Sequence, residues 1–116
     1  MHWTLLIKSC PDAPGNPVLH ALRFAACALA DEVSISIFLL QEGLAATFVE
    51  SPEGAPPPST HHDLLDEIRE LGGEIYALGL EWLEPRAEKK LAAGIHPANM
   101  ATLIRTMKNS DQVISF

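Results

Sequence analysis

The sequence predicts an α/β protein, a three-layer α/β/α sandwich around a mainly parallel sheet of about five strands. Three observations carry this reading. Short apolar runs recur at Trp3–Ile7, Val33–Leu40, Glu74–Leu78 and Gln112–Phe116. Between them lie segments whose apolar residues recur at helical spacing, bounded by capping and turn residues. The resulting order, β-α-β-α-β-α-(β)-α-β, is that of parallel strands joined by helical crossovers, with helices on both faces of the sheet.

The first strand, Trp3–Ile7, gives way to a turn-rich loop, Cys10-Pro-Asp-Ala-Pro-Gly-Asn-Pro17. Asn16 before Pro17 reads as a helix start, with Asn as the N-cap and Pro at the first helical position. Val18, Leu22, Ala25 and Leu29 then repeat at helical spacing, and Ala21 and Ala28 widen the stripe. Such a small-residue face suits close packing on a sheet. Val33–Leu40 begins with polar–apolar alternation and ends as a continuous apolar run, as expected of a strand buried along much of its length. Leu44–Val49 is expected to be a short helical or irregular connection. Ser51–Thr60 holds four prolines and a glycine, which excludes regular helix and central strand and makes it a surface loop.

Thr60 opens a second helix, with Asp63 in an imperfect capping box and Leu64, Leu65, Ile68 and Leu71 as its apolar stripe. Gly72-Gly73 closes it, and Glu74–Leu78 is the third strand. Gly79 breaks that strand, Glu81–Glu84 is expected to form a helical turn before Pro85, and Glu88–Ala93 is a short helical candidate. Gly94-Ile-His-Pro97 is a very short extended piece. Asn99 caps a last helix with Met100, Leu103, Ile104 and Met107 on its apolar stripe, and Gln112–Phe116 is a terminal strand.

At 116 residues the chain is long enough for one hydrophobic core and too short for two, so 1–116 is expected to be a single domain. A formal net charge of −7 argues against binding nucleic acid or an anionic membrane, both of which select a positive footprint. Two cysteines, Cys10 and Cys27, are too few for a disulfide scaffold and wrongly spaced for a cysteine zinc site. No apolar run reaches the roughly 20 residues of a membrane span, and the amino-terminal run has no secretory-leader pattern. The expected compartment is the cytoplasm, and no metal or cofactor is expected. There is no Gly-x-Gly-x-x-Gly or Walker motif.

In open parallel sheets ligands collect beyond the carboxyl ends of the strands. That places Leu78, Gly79, Leu80 and Glu81 on favoured ground, with no usual nucleophile among them. Cys10 lies on the loop after the first strand, and the two readings are a thiolate activated by the following helix start or an incidental loop cysteine. His96 is either a base for such a thiol or a structural residue before Pro97. Cys27, mid-helix among alanines, reads as a packing or subunit-contact residue. His61-His62-Asp63 reads as solvated or capping, because adjacent helical residues point apart and do not converge on one metal.

Three stretches together resemble the DsrE/DsrF-like sulfur-relay family, which includes TusD. They are Ala21-Leu-Arg-Phe-Ala25 with Ala28-Leu29 leading into Val33–Leu40, Gly73-Glu-Ile-Tyr-Ala77 running into its loop, and Met107-Lys-Asn-Ser-Asp-Gln-Val-Ile-Ser-Phe116. The resemblance covers nearly the whole chain except Ser51–Thr60. It implies a compact α/β domain that assembles as dimers, trimers or hexamers, with a sulfur-carrier protein as a partner. It also implies, for active members, a persulfide-carrying cysteine just after the third core strand. Here Leu78–Glu81 fills that position, and no cysteine follows Cys27. The resemblance therefore points to a noncatalytic subunit or a module that binds a partner or small ligand. The alternatives are a sulfur carrier using Cys10 and a ligand-binding module unrelated to sulfur. Whether the chain is an enzyme stays open at this point.

Overall fold

A computed structural model describes residues 1–10, 13–47, 59–79 and 94–116. Its strands are β1 (His2–Ile7), β2 (Ser34–Leu39), β3 (Glu74–Leu78), β4 (Ile95–Ala98) and β5 (Gln112–Ser115). Its helices are α1 (Pro17–Ala30), α2 (Ser59–Glu70) and α3 (Met100–Lys108), with a 3-10 helix at Gln41–Thr47. The strands form one sheet in the order β4-β3-β2-β1-β5, and every neighbouring pair is parallel. The expected α/β/α sandwich with a five-stranded sheet is therefore the observed fold.

Because successive strand residues point to opposite faces, the register divides the sheet cleanly. Leu5, Ile7, Ile35, Ile37, Leu39, Ile75, Ala77 and Ile95 face one side, where they form the main core with α1 and α2. Helices α1 and α2 also pack on each other. The small-residue face of α1 is spent on this layer: Ala21, Ala25 and Ala28 are buried within the chain. That is the close packing on a sheet expected of such a face. Leu6, Phe38, Leu40, Tyr76, Leu78 and Ala98 face the other side and meet Leu103 and Met107 of α3.

Both long helices end in the same way. After α2, the Gly72 N–H bonds the Arg69 carbonyl and the Gly73 N–H bonds that of Ile68, the paired arrangement of a Schellman cap. Gly72 supplies the left-handed residue at φ 93°. After α1, Glu32 and Val33 make the equivalent bonds to Leu29 and Ala28, but Glu32 carries the left-handed turn at φ 65°.

Four local expectations change. Asn16 precedes α1 but sits in the left-handed region at φ 51° and makes no side-chain capping bond; Pro17 alone preorganises the start. His61 is buried at 7% exposure, on the same face as Leu65 and Ile68, rather than solvated. Cys27 is exposed, so it is not a core-packing residue. The α3 stripe is half used: Leu103 is buried, whereas Met100 and Ile104 are exposed. Asn99 does cap α3 as expected, its side chain accepting from the Thr102 N–H at 2.9 Å. The expected Glu81–Glu84 turn and Glu88–Ala93 helix, and most of the proline-rich loop, lie outside the described residues.

Candidate functional site

The carboxyl ends of β1, β2 and β3 converge on one edge, and two backbone features shape it. The 3-10 helix folds back over the end of β1, so that a Cβ on Gly43 would collide with the Ile7 carbonyl oxygen. Only glycine permits that approach. The Gly43 N–H bonds the Leu40 carbonyl, and the Leu40 N–H bonds that of Ile7. At the end of β3, Leu78 is 1% exposed and Gly79 turns at φ 92°, a backbone that L side chains rarely adopt. Leu80 and Glu81 lie outside the described residues.

Cys10 stands on this edge, half-buried after β1, its carbonyl accepting from the Ala13 N–H at 3.0 Å. His96 does not join it. His96 lies within β4, paired with Tyr76, and β2 and β3 intervene between β4 and β1. Three strand spacings put the two strands roughly 14 Å apart. The ring of His96 instead lies 6.1 Å from that of Tyr76, tilted by 50°. The pairing of a thiol at Cys10 with a base at His96 therefore has no geometric support, and among the described residues no His/Cys/Asp/Glu cluster could hold a metal.

Among the described residues, a hydrogen-bonded polar cluster sits at the other end of the sheet. On the α3 side, the amino halves of β1, β2 and β3 carry His2, Thr4, Ser36 and Glu74, set in register by the pairs Thr4–Ser36 and Ser36–Glu74. The His2 Nε2 lies 3.0 Å from the Ser36 Oγ, and Ser36 in turn reaches the Glu74 Oε2 at 3.5 Å. Tyr76 donates its phenol to the same oxygen at 2.8 Å. Burial, then the hydrogen bond and the negative charge of Glu74, raise the Tyr76 phenol above its ordinary value. Ser110 donates to the Thr106 carbonyl at 2.7 Å, so Thr4, fully buried, donates to the Ser110 hydroxyl. The backbone of His2 is tied to Asp111 in both directions, through the His2 N–H to the carboxylate at 2.8 Å and the Asp111 N–H to the His2 carbonyl at 2.7 Å.

Arg105 and Thr106 of α3 and its C-cap residue Asn109 line, with His2, Ser36 and Glu74, an open cleft of about 320 Å³. A Ser–His–Glu grouping invites comparison with a hydrolytic triad, but the geometry is different. A triad carboxylate orients the imidazole through its second nitrogen. Here Glu74 bonds the serine, and Ser36 is fully buried, out of reach of a substrate carbonyl. The arrangement can bind and orient polar groups; it is not built for nucleophilic attack.

None of these cleft residues stood out in the sequence reading, yet the signal was present. Three strands begin with alternation, His2-Trp-Thr4, Ser34-Ile-Ser36 and Glu74-Ile-Tyr76, before turning continuously apolar. Alternation at the start of adjacent parallel strands predicts one polar patch on one face.

No protein-family model matches the chain. The crystal structure of the ychN protein from E. coli superposes with a TM-score of 0.73 over 100% of both chains, at 14% identity. The chain is thus an α/β protein of the DsrE-like fold. In sequence it is 32% identical over 119 aligned residues, spanning 100% of both chains, to "Uncharacterized protein MJ0989" of Methanocaldococcus jannaschii. "Uncharacterized protein MK0008" of Methanopyrus kandleri is 32% identical over 98 residues, 83% of this chain and 78% of that one. The chain belongs to the family of MJ0989.

Proposed function

We propose that this chain is a noncatalytic DsrE-like subunit that binds a partner or small ligand in intracellular sulfur transfer, a sulfur-carrier protein being the partner class. One observation carries the reading. Where sulfur carriers of this fold hold their cysteine, beyond the third strand, β3 ends in buried Leu78 and left-handed Gly79, and no cysteine follows Cys27. A persulfide needs a thiolate that can attack a sulfane sulfur and later release it, and neither residue supplies one. Self-association belongs to the same proposal: Met100, Ile104 and Val113 are 47%, 53% and 41% exposed. Burying such side chains between copies is favourable by roughly 25 cal/mol per Å² of apolar surface.

The test is incubation of the purified protein with a sulfane-sulfur donor, followed by intact-mass measurement, with light scattering on the same sample. The expected outcome is no added sulfur and a mass above that of a 12.6 kDa monomer. A gain of one sulfur that disappears in Cys10→Ser would overturn the proposal in favour of a carrier that uses Cys10. Scattering from monomer alone would remove the assembly half of it.

A further inference from the structure

The cleft at the amino edge of the sheet lies at the opposite end of the strands from the cysteine position of sulfur carriers, and its chemistry is independent of theirs. Its floor is a hydrogen-bonded chain from His2 through Ser36 to Glu74, and the bonds from Ser36 and Tyr76 both converge on the Glu74 Oε2. Among the described residues, the other carboxylate oxygen, Oε1, accepts no hydrogen bond. Arg105, on the last turn of α3, lines the same cleft. Among the described residues, no carboxylate lies within 4.0 Å of its guanidinium, and the ion pair found is Arg69–Asp66, elsewhere on the surface. Arg105 complements the negative end of the α3 dipole, a role that does not require it to line a cleft.

One small cleft thus holds an anion and a cation that do not touch each other, together with a hydroxyl and an amide from Thr106 and Asn109. A free anion entering it meets Arg105 favourably and Glu74 unfavourably; a free cation meets the reverse. A molecule carrying both charges satisfies both walls at once. At about 320 Å³ the space lies at the small end of ligand sites. Every residue that lines it is polar or charged, which suits a compact, charged occupant. We propose that this cleft binds a small zwitterion of the free α-amino acid class, its ammonium group on Glu74 and its carboxylate on Arg105. Asn109 is held for this task, because its side-chain N–H donates to the Arg105 carbonyl at 3.1 Å, which fixes its amide oxygen. Thr106 donates its hydroxyl to the Thr102 carbonyl at 2.8 Å, leaving that oxygen free to accept.

The test is titration of isotope-labelled protein with the common L-α-amino acids, read by backbone amide shifts, with acetate and methylammonium as single-charge controls. The expected result is saturable shifts at Ser36, Glu74, Thr106 and Asn109 for at least one amino acid, with both controls at least tenfold weaker. Glu74→Gln and Arg105→Gln should each weaken binding about tenfold or more, the loss of one charge-assisted contact. Both side chains lie at the surface, and a wild-type spread of amide signals establishes that each variant is folded; Glu74→Asp, which keeps the charge, should bind better than Glu74→Gln. Three results would overturn the inference. They are no shift with any amino acid, controls that bind as tightly, and charge-neutral variants that bind like wild type. None of them bears on sulfur loading, so the two proposals fail separately.

Discussion

The sheet face beneath α3 has two halves with opposite chemistry. In the carboxyl half, Leu6, Phe38, Leu40, Leu78, Leu103 and Met107 make an apolar cluster, with Phe38 stacked on Tyr76 at 4.7 Å between ring centroids. In the amino half, a few ångströms along the same strands, His2, Ser36 and Glu74 form a hydrogen-bonded row that lines an open cleft. The same helix covers both, with Leu103 and Met107 over one and Arg105, Thr106 and Asn109 over the other. The difference separates two tasks that folds of this kind usually combine at the carboxyl edge. Among the described residues, the carboxyl half of this face is apolar, and a hydrogen-bonded polar row that can recognise a ligand is gathered in the amino half.

Stability measurements can break this comparison. Phe38→Ala empties a fully buried site and removes the ring stacked on Tyr76; the expected loss is about 3–5 kcal/mol in denaturant unfolding. Ser36→Ala in the other half removes a hydroxyl that links His2 and Glu74. Its expected cost is smaller, about 1–2 kcal/mol, because His2 and Glu74 border a cleft where water can replace the lost partner. If Ser36→Ala costs as much as Phe38→Ala, the amino half is a structural polar core and not an open binding row.

A subtler effect sharpens the boundary between the halves, where Tyr76 packs on Phe38 and bonds Glu74. Its phenol titrates higher in the folded state than its ordinary value near 10. Folding therefore gains stability from the neutral phenol below that pH, and the gain is lost as the pH rises through the folded value. Tyr76→Phe should flatten this alkaline decline in the unfolding midpoint while changing little at neutral pH. An unchanged alkaline slope would show that Glu74 and burial do not hold the phenol neutral.

Much of the architecture could be read along the chain. Glu74–Leu78 was delimited by the Gly-Gly before it and the Gly after it, residues that the Schellman cap and the turn at Gly79 both use. Asn99 was identified as a cap because only a short polar side chain reaches the free N–H groups of a helix start. Asn16 failed the same test, because Gly15 and Asn16 both adopt left-handed backbone and turn the side chain away from a capping position. The burial of His61 was not legible, since its face of α2 is decided by packing on α1 and the sheet.

By itself, the sequence determined the strand and helix order, the parallel sheet and the missing thiol after the third strand, because periodicity, turn chemistry and residue identity are local properties. It also held the alternation at the starts of three strands. What that alternation meant depended on strand order and register, and on where α3 comes to rest, which are long-range facts. Only the tertiary structure brought Glu74 and Arg105, 31 positions apart in the chain, to the walls of one cleft and parted His96 from Cys10.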